Sequence, residues 1–403
     1  MKRMTWAAIV TFGAALAWTT AQAQSVWTNS AGGIYHDPAN WNPNTVPAAA
    51  NVEGRFTGND TFTVTFTQSV TAAMGRHVGN ATTGLQTDTV SVTFDLGGLT
   101  HNYTHTSTMQ ISANGTLTLI HGTLNQNYQL WTGYQSGGPD TISRFVVGTN
   151  AVLNHTTANA TRLGYRRHGE VIVKDGGAFS SAAALQLGWF ETSSSFATAP
   201  TGRVVVTGSG SWLTSGTTTL GYQGVSSVGI LEVSHGGSVT NTAITMREGS
   251  GHIRALSGGL IVSSGAINLG LATVAGSSIH VDGGRIEAAG SLNLTNSTFS
   301  VVLNAPSATP MVSAESTLRV NETDKTTLQI ALGSGFDFGY NDKYTLLSYG
   351  SLGTHYRFAD SLGNLYNTGD TLTVGGQDFE LSYADGGNLI TLTAIPEPGT
   401  LGL

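Results

Sequence analysis

Six stretches in the middle of the chain, RFVVGTNAVLN, EVIVKDGGAFSS, RVVVTGSGSWLTS, ILEVSHGGSVTN, IRALSGGLIVSS and SIHVDGGRIEAA, repeat one pattern. In each, a strand-like run ends at Val146, Val173, Val206, Val233, Ala255 or His280. An apolar residue follows six positions later, at Val152, Phe179, Trp212, Val239, Ile261 or Ile286. Gly, Asn or Ser fills the turn between. Fifteen residues after Val173, Val206 and Ala255 stand Gly188, Gly221 and Gly270, each preceded by Leu; the same count from Val233 reaches Glu248, a degenerate unit. Successive units are 33, 27, 22 and 25 residues long, a fixed segment joined to a variable loop. A unit of two or three short strands cannot bury its apolar face alone, so such units stack and each contacts mainly its neighbours. The spacing predicts that Val171 and Val173, Val204 and Val206, and Leu231 and Val233 lie on adjacent parallel strands. It also predicts glycines at positive φ in the corners and hydrogen-bonded Asn and Thr ladders along the stack.

Composition agrees with a folded β protein. Only 10% of the 403 residues are charged, 53 are glycine and 39% are hydrophobic, the last in short Val/Ile/Leu runs. A net charge of −7 with 17 Lys and Arg leaves no basic stripe for a phosphate backbone, which argues against nucleic acid as a partner. There is no cysteine, so core and hydrogen bonds must hold the chain without disulfides.

The repeat over residues 132–289 resembles the β-strand repeats of autotransporter passenger regions and large exported bacterial surface proteins. Weaker echoes stand upstream in FDLGGLTHNYT and LTLIHGTLNQN. The resemblance implies an all-β fold, a right-handed parallel β-helix (β-solenoid); a β-sandwich or propeller is the alternative and would want evenly spaced strands and hairpin turns. Before the repeats, Trp27, Asp37, Asn40, Trp41, Pro43 and Pro47 resemble the W…NW…P pattern that opens such solenoids. An open solenoid end exposes an unpaired strand, and tryptophans and prolines suit a cap for it. The other reading makes Trp27 and Trp41 a platform for sugar. After Asn304-Ala305-Pro306 the pattern turns to alternating strands with a hairpin signal at residues 384–388, a C-terminal antiparallel β region. The expected organisation is 1–23 signal peptide, 24–60 N-terminal cap, 61–305 solenoid, 306–394 C-terminal β region and 395–403 tail.

The two ends carry address signals. Lys2 and Arg3, an apolar run over 6–18 and Ala21-Gln22-Ala23 have the layout of a secretory signal peptide cut before Gln24, the apolar run being too short to cross a bilayer. At the other end, Pro396-Glu397-Pro398 follows the last strand-like run. A Pro-x-Pro pair ends strand pairing on physical grounds alone. In an exported β protein, however, IPEPGTLGL resembles the PEP-CTERM sorting region, in which Pro-Glu-Pro precedes a membrane helix and an Arg-rich end that an exosortase processes. Here five residues follow Pro398 with no helix and no basic cluster, so the tail reads as truncated. The implied partner is an exosortase-type sorting machinery if the native tail is longer, and the implied location is the cell surface or the extracellular space.

Signals for catalysis are sparse. The repeats offer Glu170, Asp175, Glu191, Glu232, Glu248, Asp282 and Glu287 at different places in their units, so nothing marks the carboxylate pair that glycoside hydrolysis needs. His101 and His105 are spaced i, i+4, which in extended chain puts them about 13 Å apart, too far to share a metal. No cofactor is expected. One repeated feature could carry recognition. Tyr134, Tyr165, Trp189 and Tyr222 directly follow Gly133, Gly164, Gly188 and Gly221 and should form a column, either a sugar-stacking surface or an aromatic core ladder. Arg162, Arg166, Arg167 and His168 lie beside it and could meet an acidic polymer. The expected role is an exported structural or adhesive protein associated with an exopolysaccharide matrix; the alternative is a polysaccharide lyase or glycosidase on the same scaffold.

Overall fold

The structure, a computed structural model, describes residues 23–47, 52–71, 77–79, 89–104, 108–112, 114–134, 141–189, 199–334, 336–337, 339 and 341–396. Residues 1–22 of the proposed leader, His105, Glu191, Glu397, Pro398 and positions 190–198 of the longest variable loop lie outside the described residues, while Ala23, the last residue of that leader, begins the first strand.

The described chain is a β-solenoid whose coils each contribute strands to three sides. One side is a sheet of twelve parallel strands, from Gly33–Ile34 through Thr116–Ile120, Ile142–Val147, His168–Lys174, Thr201–Thr207, Val228–Ser234 and Ser250–Leu256 to Thr327–Leu332. The second side runs through Thr100–Tyr103, Gly122–Gln126, Ala151–His155 and Ala178–Ser181. The third runs through Met109–Ile111, Leu130–Thr132, Thr161–Leu163 and Leu185–Trp189. The long strand Trp212–Gln223 turns the corner between these two, pairing first with Ala178–Ser181 and then with Leu185–Trp189.

Alternation decides which residues face in. On the first side Phe145 and Val147, Val171 and Val173, Val204 and Val206, Leu231 and Val233 are fully buried and stack coil upon coil. These pairings are parallel, as the repeat spacing predicts. The outward residues also match laterally. Asn125 donates to Asn102 at 2.8 Å, Asn154 to Asn125 at 3.0 Å and Asn293 to Asn268 at 2.6 Å, which are the expected amide ladders.

The corners explain the glycines. After the first side the chain takes two successive left-handed residues, Asp175 and Gly176 at φ 54° and 79° and His235 and Gly236 at 51° and 77°, a tight turn that only Gly, Asn, Asp and a few others accept. The next glycine has a different reason. A Cβ at Gly177 would lie 2.3 Å from the Val147 carbonyl oxygen of the neighbouring coil, so the backbones approach too closely for any side chain there.

Four positions of the repeat sit one residue from where the sequence count places them. Val147, not Val146, pairs with Val173. Leu213, not Trp212, pairs with Phe179 and Val239, and Trp212 is partly exposed. Val281, not His280, pairs with Ala255. Val152 correspondingly gives way to Leu153 as the partner of Phe179. In the degenerate unit Met246 pairs with Leu220, so the place of the corner glycine is taken by Arg247 rather than Glu248.

Both ends of the stack are covered. Ala23–Trp27 pairs in parallel with Val52–Phe56 on one edge and antiparallel with Trp41–Asn42 on the other. Trp27 and Trp41 are buried edge to face, 5.1 Å apart, inside a cluster with Tyr35, Phe56, Phe62 and Phe66. They are a cap and present no platform for sugar. At the other end Lys343–Leu352 pairs in parallel with Val312–Val320 and antiparallel with Leu389–Ala394. Gln377–Ser382 then pairs antiparallel with both Leu389–Ala394 and Thr371–Val374. The sequence signal at 384–388 is one connection of this meander.

Candidate functional site

The glycines Gly133, Gly164, Gly188 and Gly221 turn the chain from the third side to the first, at φ 72°, 69°, 73° and 55°. The next coil lies close against each; a Cβ at Gly188 would stand 2.6 Å from the Val228 carbonyl oxygen. Because the same residue leaves the same corner on successive coils, about 4.8 Å apart, Tyr134, Tyr165, Trp189 and Tyr222 come together in one column. Ring centroids are 5.7 Å apart for Tyr134–Tyr165, 6.1 Å for Tyr165–Trp189 and 4.4 Å for Trp189–Tyr222, with planes within 25° of parallel.

Trp131 joins this column, 4.4 Å from Tyr165 and nearly parallel to it. Sequence reasoning missed it because it precedes the corner by two residues and recurs in no other unit. Its lateral neighbours along the third side are Arg162 and then Gln186. That row puts the Arg162 guanidinium 3.9 Å from the Trp189 ring centroid and 5.2 Å from that of Trp131. Arg166 lies 5.4 Å from both Tyr134 and Tyr165, and Arg247 lies 4.6 Å from Tyr222. His168 accepts a hydrogen bond at Nδ1 from the Thr201 amide, 3.2 Å.

Ring faces in the column are turned toward one another or toward guanidinium groups. Tyr165 is buried, while Tyr134, Trp189 and Tyr222 are half-buried. A sugar lying flat needs an open ring face. What this corner offers instead is a stack of rings interleaved with cations.

The acids of the repeats are placed by a second row, on the first side. Arg144 Nε lies 2.9 Å from Glu170, Arg203 bridges Glu170 and Glu232 at 2.9 Å each, and Arg254 reaches Glu232 at 3.4 Å. Arg144, Glu170, Arg203, Glu232 and Arg254 therefore alternate in sign across successive coils. The interaction with these two carboxylates holds the Arg203 guanidinium above its ordinary pKa against the opposing effect of burial, which is the largest single influence on it. Four other described acids of the repeats are also engaged. Asp175 lies 3.4 Å from Lys174, Glu248 accepts from the Gly224 amide at 2.8 Å, Asp282 accepts from Asn304 at 3.0 Å, and Glu287 pairs with Arg285. Alternating charge one coil apart was open to detection in the sequence only once the register of the coils was known.

His101 accepts from the Val70 amide at 3.2 Å and its Nε2 faces the Leu96 carbonyl at 3.1 Å, a neutral ring fixed in one tautomer, and burial lowers its pKa. Among the described residues no group of three or more His, Asp or Glu side chains converges on a point where a metal could sit. Pro396 lies one residue beyond the end of the last strand, and the intervening Ile395 amide still donates to the Asp378 carbonyl at 2.9 Å. Among the described residues no helix is long and apolar enough to cross a membrane.

No model of a known protein family matches the chain, and no curated protein matches it.

Proposed function

We propose that the chain is an exported structural or adhesive solenoid that works at the cell surface or outside the cell, in association with exopolysaccharide. The observation that carries this reading is the charged row on the first side. Glu170 and Glu232, brought onto one face by the coils, share Arg203 between them. A glycosidase needs one carboxyl held protonated and another free to attack or to activate water. Two carboxylates locked to one guanidinium supply neither, but they do fasten successive coils to each other. Asn102, Asn125 and Asn154 link successive coils in the same way through their amides.

Export rests on the basic, apolar and A-x-A layout of the first 23 residues. Sorting by an exosortase-type enzyme rests on Pro396-Glu397-Pro398. The test is expression with residues 1–23 intact in a Gram-negative host that makes exopolysaccharide, followed by fractionation and sedimentation of the matrix. The expected result is protein outside the inner membrane, cut before Gln24 and carried down with the polymer. Protein retained in the cytoplasm, or release of new sugar ends from purified polysaccharide, would overturn the reading.

A further inference from the structure

On the third side, toward the C-terminal end, the outward row continues through Asn268 and Asn293 to Arg319 and then Gly353. The segment after Lys343–Leu352 stays on this side, with the Gly353 amide donating to the Leu318 carbonyl at 2.8 Å and the Val320 amide to the His355 carbonyl at 3.1 Å. An open groove of about 920 Å³ lies along it, walled by Thr295, Thr317, Ser351, Thr354 and His355 around Arg319, a size suited to a few sugar units.

Arg319 stands apart from the other arginines of the coils. It is exposed, and among the described residues no carboxylate lies within ion-pair distance of it. Glu322, three residues further along the chain, is engaged elsewhere. Glu322 receives a two-point contact from Arg357, 3.0 Å at each oxygen. Beside Arg319, the Asn293 side chain gives its Nδ2 hydrogen to Asn268, leaving a buried Oδ1 acceptor without a partner. Gly353 has no left-handed φ to explain it; a Cβ there would come 2.8 Å from Arg319 Cγ, so its missing side chain is what gives the arginine stem its place.

We infer that this groove binds a carboxylate-bearing sugar unit of an acidic polysaccharide, the carboxylate meeting the Arg319 guanidinium. The planar guanidinium matches a carboxylate at two points, and amide and hydroxyl groups around it suit the ring hydroxyls. The inference deepens the matrix-associated reading above and depends on it for the source of the polymer.

The test uses purified chain and alginate oligosaccharides in calorimetry, with cello-oligosaccharides of equal length and inorganic phosphate as comparisons. Arg319→Gln is expected to weaken alginate binding by about tenfold or more, Gly353→Ala to weaken it by displacing the arginine, and Arg319→Lys to keep part of it. Unchanged melting of Arg319→Gln shows that the fold is intact. Binding that survives Arg319→Gln, equal binding of the neutral oligosaccharide, or full competition by phosphate at the same concentration would each overturn the assignment, as would no binding at all. Binding through Arg319 in a chain that never leaves the cytoplasm would sink the surface reading and leave the groove standing; an exported, matrix-bound chain with no Arg319-dependent binding would do the reverse.

Discussion

The guanidinium carbon of Arg162 stands 3.9 Å from the centroid of the Trp189 ring. One face of the indole is thus covered by a cation, while Tyr222 stacks on the ring at 4.4 Å and 12°. Replacing Trp189 by Ala removes both contacts and is expected to cost about 2 kcal/mol of stability, read as a lower urea midpoint. Retention on exopolysaccharide, counted per folded molecule, should stay as it was. Unchanged melting with lost retention would show that the column binds sugar and is not a ladder.

The corner glycines should separate into two classes. Gly176 has φ 79° and open space around its missing side chain, so Gly176→Ala costs only backbone strain, about 1 kcal/mol, and Gly176→Asn less. Gly177 abuts the Val147 carbonyl, so Gly177→Ala forces two coils apart and should cost several-fold more. Equal melting temperatures for the two alanine variants would contradict the geometry.

Arg203 is the middle member of the charged row. Arg203→Met leaves Glu170 and Glu232 without the guanidinium they share, whereas Arg144→Met removes an end member. With these groups partly exposed, the expected loss for Arg203→Met is about 1–2 kcal/mol and about half that for Arg144→Met. Adding Glu232→Gln to Arg203→Met should restore part of the loss. A double variant no better than the single one would remove repulsion as the cause.

Stability should fall in two stages on acidification. Burial lowers the pKa of His101, His155 and His252 below the ordinary 6.5. Their contribution is complete above pH 6.5 and is lost as the pH drops from there toward the lowered values, because the unfolded chain takes up protons first. Glu322 is held at about 2, against an ordinary 4.5, chiefly by its hydrogen bonds from Arg357, so its contribution is lost between those two values. Urea unfolding followed from pH 7.5 to pH 3 should show both declines, and His155→Gln should flatten the upper one. A flat profile between pH 7.5 and pH 5.5 would refute the histidine assignment.

Much of the fold was legible because a solenoid writes its architecture locally. Val171, Val173, Val204 and Val206 alternate inward with a period of two, and Gly176 and Gly236 mark corners that need φ above zero. Register was less legible. The turn after Val206 carries Gly208 and Gly210, both left-handed, and holds one residue more than its neighbours, so counting reaches Trp212 where packing chooses Leu213. His280 fails in the opposite sense, its turn being shorter. The aromatic column could be read from Gly-Tyr and Gly-Trp pairs because it is tied to a corner. The charged row could not, since Glu170 and Glu232 occupy different strand positions and meet only through the length of Arg203. Trp131 and Arg319 were invisible for a similar reason: each matters through a neighbour on the next coil, many residues away in the chain.

The antiparallel strand Trp41–Asn42 at one end and the meander of Gln377–Ser382 and Leu389–Ala394 at the other fix how many rungs the stack has. Twelve strands on the first side, spaced about 4.8 Å, give a rod about 50 Å long. Reach is then a countable quantity. Duplicating or deleting one whole unit between the two stops would lengthen or shorten the molecule by a single rung and leave both terminal closures unchanged, so evolution can adjust how far the protein extends without redesigning what stops it from growing.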